Sequence, residues 1–255
     1  MTQQAFIVAR FTFLEAVRNR LFTLVIVGLI CILGLTEFIG DLAITETRAV
    51  QSSLTASGLR LFAVCVIGLF VVTSMVREFN DKGFEMLLSL SMTRASYYFG
   101  KFAGFVLLSI VIITAASLIL LLYSPAVDVL IWFISLLCES SIIIALSLLC
   151  LFTFNSITTA FTALIAFYLL SRSMHVIQLI SASPILESKA FAQEFIDFVI
   201  NAIAYVLPSL NLFTRSEWLV YGAGTSDIVP VIVQTVIYLL LLIAAGLFDL
   251  YRKEF

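Results

Sequence analysis

Residues 129–154 read VLIWFISLLCESSIIIALSLLCLFTF, an apolar run interrupted by one acid, Glu139. At 1.5 Å per helical residue the run reaches ~39 Å, more than the ~30 Å hydrocarbon core of a bilayer. Runs long enough to cross recur at 21–40, 58–76, 102–123, 157–180 and 229–250. Composition agrees, because 62% hydrophobic and 12% charged over 255 residues lies far outside the usage of soluble domains. The expected fold is an all-α membrane protein with six transmembrane helices in one domain, residues 1–255, with no internal repeat. The run at 21–40 follows Arg18 and Arg20 as a signal peptide's apolar core would, but it is ~20 residues long and lacks an A-x-A site, so it reads as an uncleaved first span.

Basic residues set the orientation. Arg10, Arg18, Arg20, Arg77, Lys82, Arg94, Lys101, Arg252 and Lys253 fall on one side of this threading, against Arg48, Lys189 and Arg215, with Arg60 at a span end, on the other. The positive-inside rule then puts both termini and the loop after span two in the cytoplasm. Of the outer segments, 41–57 reads as a short polar loop and 124–128 as a tight turn containing Pro125. The large outer loop, 181–228, holds an apolar stretch at 195–207, ~13 residues long and ended by Pro208. That is too short to span and suits a re-entrant or an interfacial helix equally. Asn155-Ser156 makes an abrupt cytoplasmic turn. In residues 1–20, Phe6, Phe13 and Val17 share a helical face with Ile7 and Leu14 beside it, opposite Thr12, Glu15 and Asn19, which predicts a cytoplasmic interfacial helix.

Several chemistries are disfavoured. A net charge of −2 with scattered Lys and Arg offers no nucleic-acid surface. Cys31, Cys65, Cys138 and Cys150 lie in apolar runs without CxxC spacing, so neither a disulfide framework nor a zinc site is indicated. His175 is the only histidine, which excludes a two-histidine metal centre. Ser171, four residues before it, lacks a nucleophile signature, leaving an intramembrane protease as a weak alternative. Gly100-Lys101 imitates the end of a phosphate-binding loop, but Phe102 follows where Ser or Thr is required and Ala95 stands where the first glycine belongs.

The most specific segment is the cytoplasmic loop 77–101, REFNDKGFEMLLSLSMTRASYYFGK. Its start, Arg77 to Asp81, is charged, while Phe84, Leu87 and Leu88 share one face of a short helix, an arrangement suited to docking in a partner's groove. A passive channel or carrier, the other alternative, would not need that face. The series Glu78, Gly83, Glu85, Leu87-Leu88-Ser89, Thr93-Arg94 and Tyr97-x-x-Gly100-Lys101 resembles the loop between spans two and three of ABC type-2 permeases, the membrane subunits of ATP-driven exporters. The interfacial helix, six spans, large last outer loop and basic C-terminus extend the resemblance along the chain; Ser91 stands where the family often has Pro.

The resemblance implies that Glu78, Asp81, Gly83, Glu85, Arg94, Gly100 and Lys101 form or brace a coupling helix with Phe84, Leu87 and Leu88 on its docking face. It also implies two copies of this chain with two ABC ATPase subunits in the cell's inner membrane. ATP and magnesium would be bound by the ATPase, with no cofactor or metal in this chain, and some members act with a periplasmic or outer-side partner. The cargo is not specified, and lipid is the one other contact expected. Pairing of copies is expected through spans one and five, where Gly28, Gly34, Thr158, Thr159, Thr162, Ala163 and Ala166 allow close approach.

Two charges lie deep in the threading, Glu139 at ~15 Å and Arg172 at ~12 Å from the outer end of their spans. An isolated charge there costs ~2.5–3.5 kcal/mol on insertion scales, so the two are expected to pair, face a water-filled cavity or snorkel. Such a pair would either close the transport path or hold spans four and five together.

Overall fold

A computed structural model describes residues 2–42, 47–80, 93–154, 156–182, 190–215, 218–222, 224 and 227–252. All the regular structure among them is helical: α1 (Thr2–Arg18), α2 (Arg20–Leu42), α3 (Thr47–Asn80), α4 (Arg94–Leu120), α5 (Ala126–Thr153), α6 (Ile157–Ala182), α7 (Ala190–Val206), a 3-10 turn (Leu210–Leu212), α8 (Trp218–Tyr221) and α9 (Ile228–Arg252). Six of these, α2 to α6 and α9, are long and apolar enough to cross a membrane. The chain is an all-α membrane protein, as its composition requires. Successive spans reverse direction, so α1, the end of α3, the start of α4 and the end of α9 share one end of the bundle, called here the loop end. The turn at Pro125 marks the far end.

Local chemistry fixes the helix boundaries. Thr93, in an extended conformation, accepts from the Ser96 N–H and starts α4; Pro125, also extended, starts α5; and the Ser156 hydroxyl accepts from the Thr159 N–H at 3.2 Å to start α6. Among the spans α5 is the most enclosed and α3 the next, whereas α2, α6 and α9 lie on the periphery. The serines of α5 are accommodated by bonding back within the helix, Ser141 to Leu137 O at 2.7 Å and Ser147 to Ile143 O at 2.7 Å.

Three expectations change. The polar segment 41–57 is mostly helical, because α3 begins at Thr47. Two of its polar groups face α2: the Thr36 and Thr55 hydroxyls are 2.7 Å apart, and Gln51 Nε2 donates to Thr36 O at 3.3 Å. Ser52, Ser53 and Ser57 bond back to their own helix, so much of the polarity there is met within and between helices. In α1 the packed face is Val8, Ala9, Thr12 and Ala16, whereas Phe6, Ile7, Phe11 and Leu14 are exposed, so Thr12 lies on the buried side. The reason lies in α4, whose Gly100-x-x-x-Gly104 pair admits the α1 backbone. A Cβ on Gly100 would fall 2.8 Å from Ala5 O, and one on Gly104 2.9 Å from Ala9 O. Small residues facing small residues give the closest helix approach available in a membrane protein. The third change concerns the apolar stretch near 195–207. It lies in α7, which doubles back antiparallel to α6, with Ser181 bonded to Asp197 and Gln178 to Asn201. The chain after α7 returns to the bundle at Phe213, whose carbonyl accepts from Ser135 on α5 at 2.6 Å.

The α1–α4 crossing supplies a test. Gly104→Val should overlap the Ala9 carbonyl and cost about 1–3 kcal/mol through overpacking, releasing α1. Faster proteolysis within residues 2–18, with the spans still protected, is the expected readout.

Candidate functional site

The two ends of the 77–101 loop are tied into the bundle by buried polar contacts. Glu78, in the last turn of α3, accepts from the Tyr97 hydroxyl at 3.0 Å and forms an ion pair with Lys101; Tyr97 and Lys101 both belong to α4. Tyr97 is fully buried and Lys101 nearly so, with its ammonium 5.9 Å from the Tyr97 ring centroid. One turn before Glu78, the Ser74 hydroxyl donates to Glu15 of α1 at 3.3 Å. Arg94, the first residue of α4, donates to the carbonyls of Leu250 and Tyr251 at 2.8 and 3.1 Å. Those carbonyls belong to the last turn of α9, where helices leave acceptors unpaired and favour a cation. The exit and re-entry points of the loop are thereby fastened to α1, α3, α4 and α9.

Of the residues expected at this site, Glu78, Arg94, Gly100 and Lys101 lie together at the loop end. Gly100 makes room for α1 and Lys101 is held by Glu78, so neither forms part of a phosphate-binding loop. Asp81, Gly83, Phe84, Glu85, Leu87 and Leu88 lie outside the described residues. The sequence reading does not reach Glu15 or Ser74 as site residues, and it holds Tyr97 only as a motif position. Thr12 and Glu15 read as a polar face of α1 opposite its apolar side, and only the small residues at positions 5, 9 and 16 signal a packed face.

Nearer the far end lies a second polar cluster. Arg60 of α3, 2% exposed, donates to Glu139 of α5 at 2.6 Å, and the same nitrogen is 3.4 Å from the Ser135 hydroxyl. The Arg60 guanidinium sits 5.3 Å from the Trp132 ring centroid. The expected direct pair of Glu139 with Arg172 is replaced. Arg172 donates instead to the Tyr168 hydroxyl at 2.8 Å, and Tyr168 lies close enough to Glu139 to feel its charge. Arg60 takes precedence because α3 starts some eleven residues before the apolar run suggested, which carries Arg60 from a span end into the bundle. Ser171 is fully buried while His175 is exposed, and no hydrogen bond joins them, so the geometry of a serine–histidine relay is not present.

With this geometry in view, the comparisons with known proteins are decisive at the family level. The family model described as ABC-2 family transporter protein matches residues 45–248, from the start of α3 almost to the end of α9. The chain belongs to the ABC-2 transporter family. Among curated proteins no sequence matches it. The matched stretch takes in the far cluster and the Glu78, Tyr97 and Lys101 contacts of this ABC-2 membrane subunit, and leaves α1, α2 and the Leu250 and Tyr251 carbonyls outside, so the docking of α1 on Gly100 and Gly104 is seen in the structure alone.

Removing one member of a buried ion pair strands the other charge. Lys101→Ala should therefore destabilise this ABC-2 subunit by about 3–5 kcal/mol, and the double substitution Glu78→Gln with Lys101→Met should recover most of that loss, as read by thermal unfolding in detergent.

Proposed function

We propose that this ABC-2 subunit is the membrane half of an ATP-driven exporter, in which a separate ABC ATPase docks on the 77–101 loop and moves the spans through it. Two copies of the chain and two ATPases make the working unit, set in the cytoplasmic membrane with the loop end inside. ATP and magnesium belong to the ATPase. Family membership supports an ABC ATPase partner in general. The observation that carries the coupling role is the anchorage of the loop, because displacement of a docked segment reaches four helices only if its ends are fastened to them. Glu78, Arg94 and Lys101 supply those fastenings. Asp81, Glu85, Phe84, Leu87 and Leu88 supply the docking face by resemblance.

Coupling is tested with Glu85→Lys and Phe84→Ala in the loop itself, away from the buried pair. Both variants should insert and unfold as the parent does while losing copurified ATPase or its stimulated turnover by about tenfold, the effect of a ~1.4 kcal/mol loss at the interface. Full turnover in an intact complex for both variants removes the coupling assignment.

Pairing of two copies is supported along α2 and α6. The threonines at 158, 159 and 162 and Ala166 are exposed, and a Cβ on Gly34 would meet nothing within 4 Å. Gly28 belongs elsewhere, since its approach is filled by Phe62 of the same chain. Cysteines introduced at Gly34 and at Thr162 should crosslink between copies in native membranes, whereas a cysteine at Gly28 should not.

A further inference from the structure

Among the described residues the buried cluster near the far end is out of charge balance, Arg60 and Arg172 contributing two positive charges against the single negative charge of Glu139. Glu139 is engaged by one nitrogen of Arg60. The other, Nη2, is buried and donates to no group among the described residues. Arg172 gives its described hydrogen bond to a neutral hydroxyl, that of Tyr168. A surplus cation at membrane depth is costly unless an anion or water meets it.

The two guanidinium groups are also convergent. Arg60 and Arg172 line one slit together with Trp132 and Thr214, too narrow in this structure to admit a water molecule. It is closed by the segment after α7, which is itself bonded at Phe213 to Ser135. Directly beyond it, one turn along α6 and one residue along the returning chain, His175 and Arg215 line an open cavity of about 250 Å³ that also has apolar walls. From the cavity inward the basic groups run Arg215, Arg172, Arg60; the one described acid beside them, Glu139, is paired through Oε2, while its Oε1 is buried without a hydrogen-bond partner among the described residues.

We propose that Arg60 and Arg172 form an anion site for a phosphate group, entered through the cavity at His175 and Arg215, and that the phosphate carried by an amphiphile is the part of the cargo this subunit recognises. Guanidinium groups bind phosphate oxygens through paired N–H donors, and the surplus positive charge equals that of one phosphodiester. The apolar walls of the cavity suit the remainder of an amphiphile. Entry parts the returning segment from α3, so occupancy favours an opened cleft. The role as cargo rests on the exporter reading; the binding does not.

The test uses the full chain in a neutral detergent without ATP. Mixed micelles offer phosphatidylglycerol and, as a lipid without phosphate, diacylglycerol of equal chain length, with retained lipid read by native mass spectrometry, and inorganic phosphate is offered separately, read by thermal unfolding. The parent should retain phosphatidylglycerol about tenfold over diacylglycerol, as expected for one charge-assisted contact. Arg172→Gln should abolish that preference and Arg172→Lys should keep most of it. Arg172 is chosen because it is half-buried and outside the ion pair; Arg60→Gln combined with Glu139→Gln tests the deeper residue without stranding a charge, and should also abolish the preference. A phosphate-dependent thermal shift lost in Arg172→Gln assigns the site to free phosphate, and lipid preference without that shift assigns it to a headgroup. Equal retention of the two lipids by the parent with no response to phosphate overturns the proposal, as does full preference in both charge-neutral variants. A chain that binds selectively but associates with no ATPase keeps the site and loses the exporter reading.

Discussion

Arg60 and Glu139 meet at 2.6 Å between α3 and α5, the two most enclosed spans, and much of the far half of the bundle is arranged around that contact. A hydrocarbon solvent offers no counter-charge, so a buried carboxylate has to find its partner inside the protein. Trp132 lies beside the guanidinium, Ser135 reaches both Arg60 and the returning chain at Phe213, and Tyr168 and Arg172 bring α6 to the same place. One acid thus draws together three spans and the chain that returns at Phe213. Polar groups elsewhere obey the same rule at lower stakes, as in the Thr36–Thr55 contact and the serines of α5 that bond back to their own helix.

The loop end is organised differently. Its ion pair, Glu78 with Lys101, lies beside glycines that let α1 come against α4, so charge and close packing act on the same two turns. The exposed side of α1 is apolar, with Phe6 and Phe11 each 69% exposed, which is the surface expected of a helix lying in lipid while its small residues grip the bundle. A segment read from sequence as merely interfacial is therefore also a structural part of the loop's anchorage.

The six spans were legible because length and hydropathy alone decide whether a helix crosses a bilayer, and the loop motif was legible because its charges and glycines keep fixed spacings. Pairing between helices was not. Arg60 looked like a span-end residue, because an apolar run marks where a helix enters lipid and says nothing of how far the helix continues beyond it. Gln51 and Thr55 were read as loop for the same reason. Glu139 was correctly singled out as needing a partner, but depth along a span constrains only one coordinate; the rotation of α3 about its axis, set by packing, chose Arg60 over Arg172. On α1, the large apolar residues predicted an interfacial helix, while the second face that grips the bundle went unread, because helix contact in a membrane favours small residues over large ones.

Arg60 and Glu78 stand on the same helix, eighteen residues apart. At 3.6 residues per turn that is about five whole turns and ~27 Å, so the two side chains leave α3 on the same side. The helix is unbroken from Thr47 to Asn80. The two are set like cranks in phase on one shaft: a twist about the helix axis large enough to part Glu78 from Lys101 would carry Arg60 away from Glu139 as well, without any need for the helix to bend.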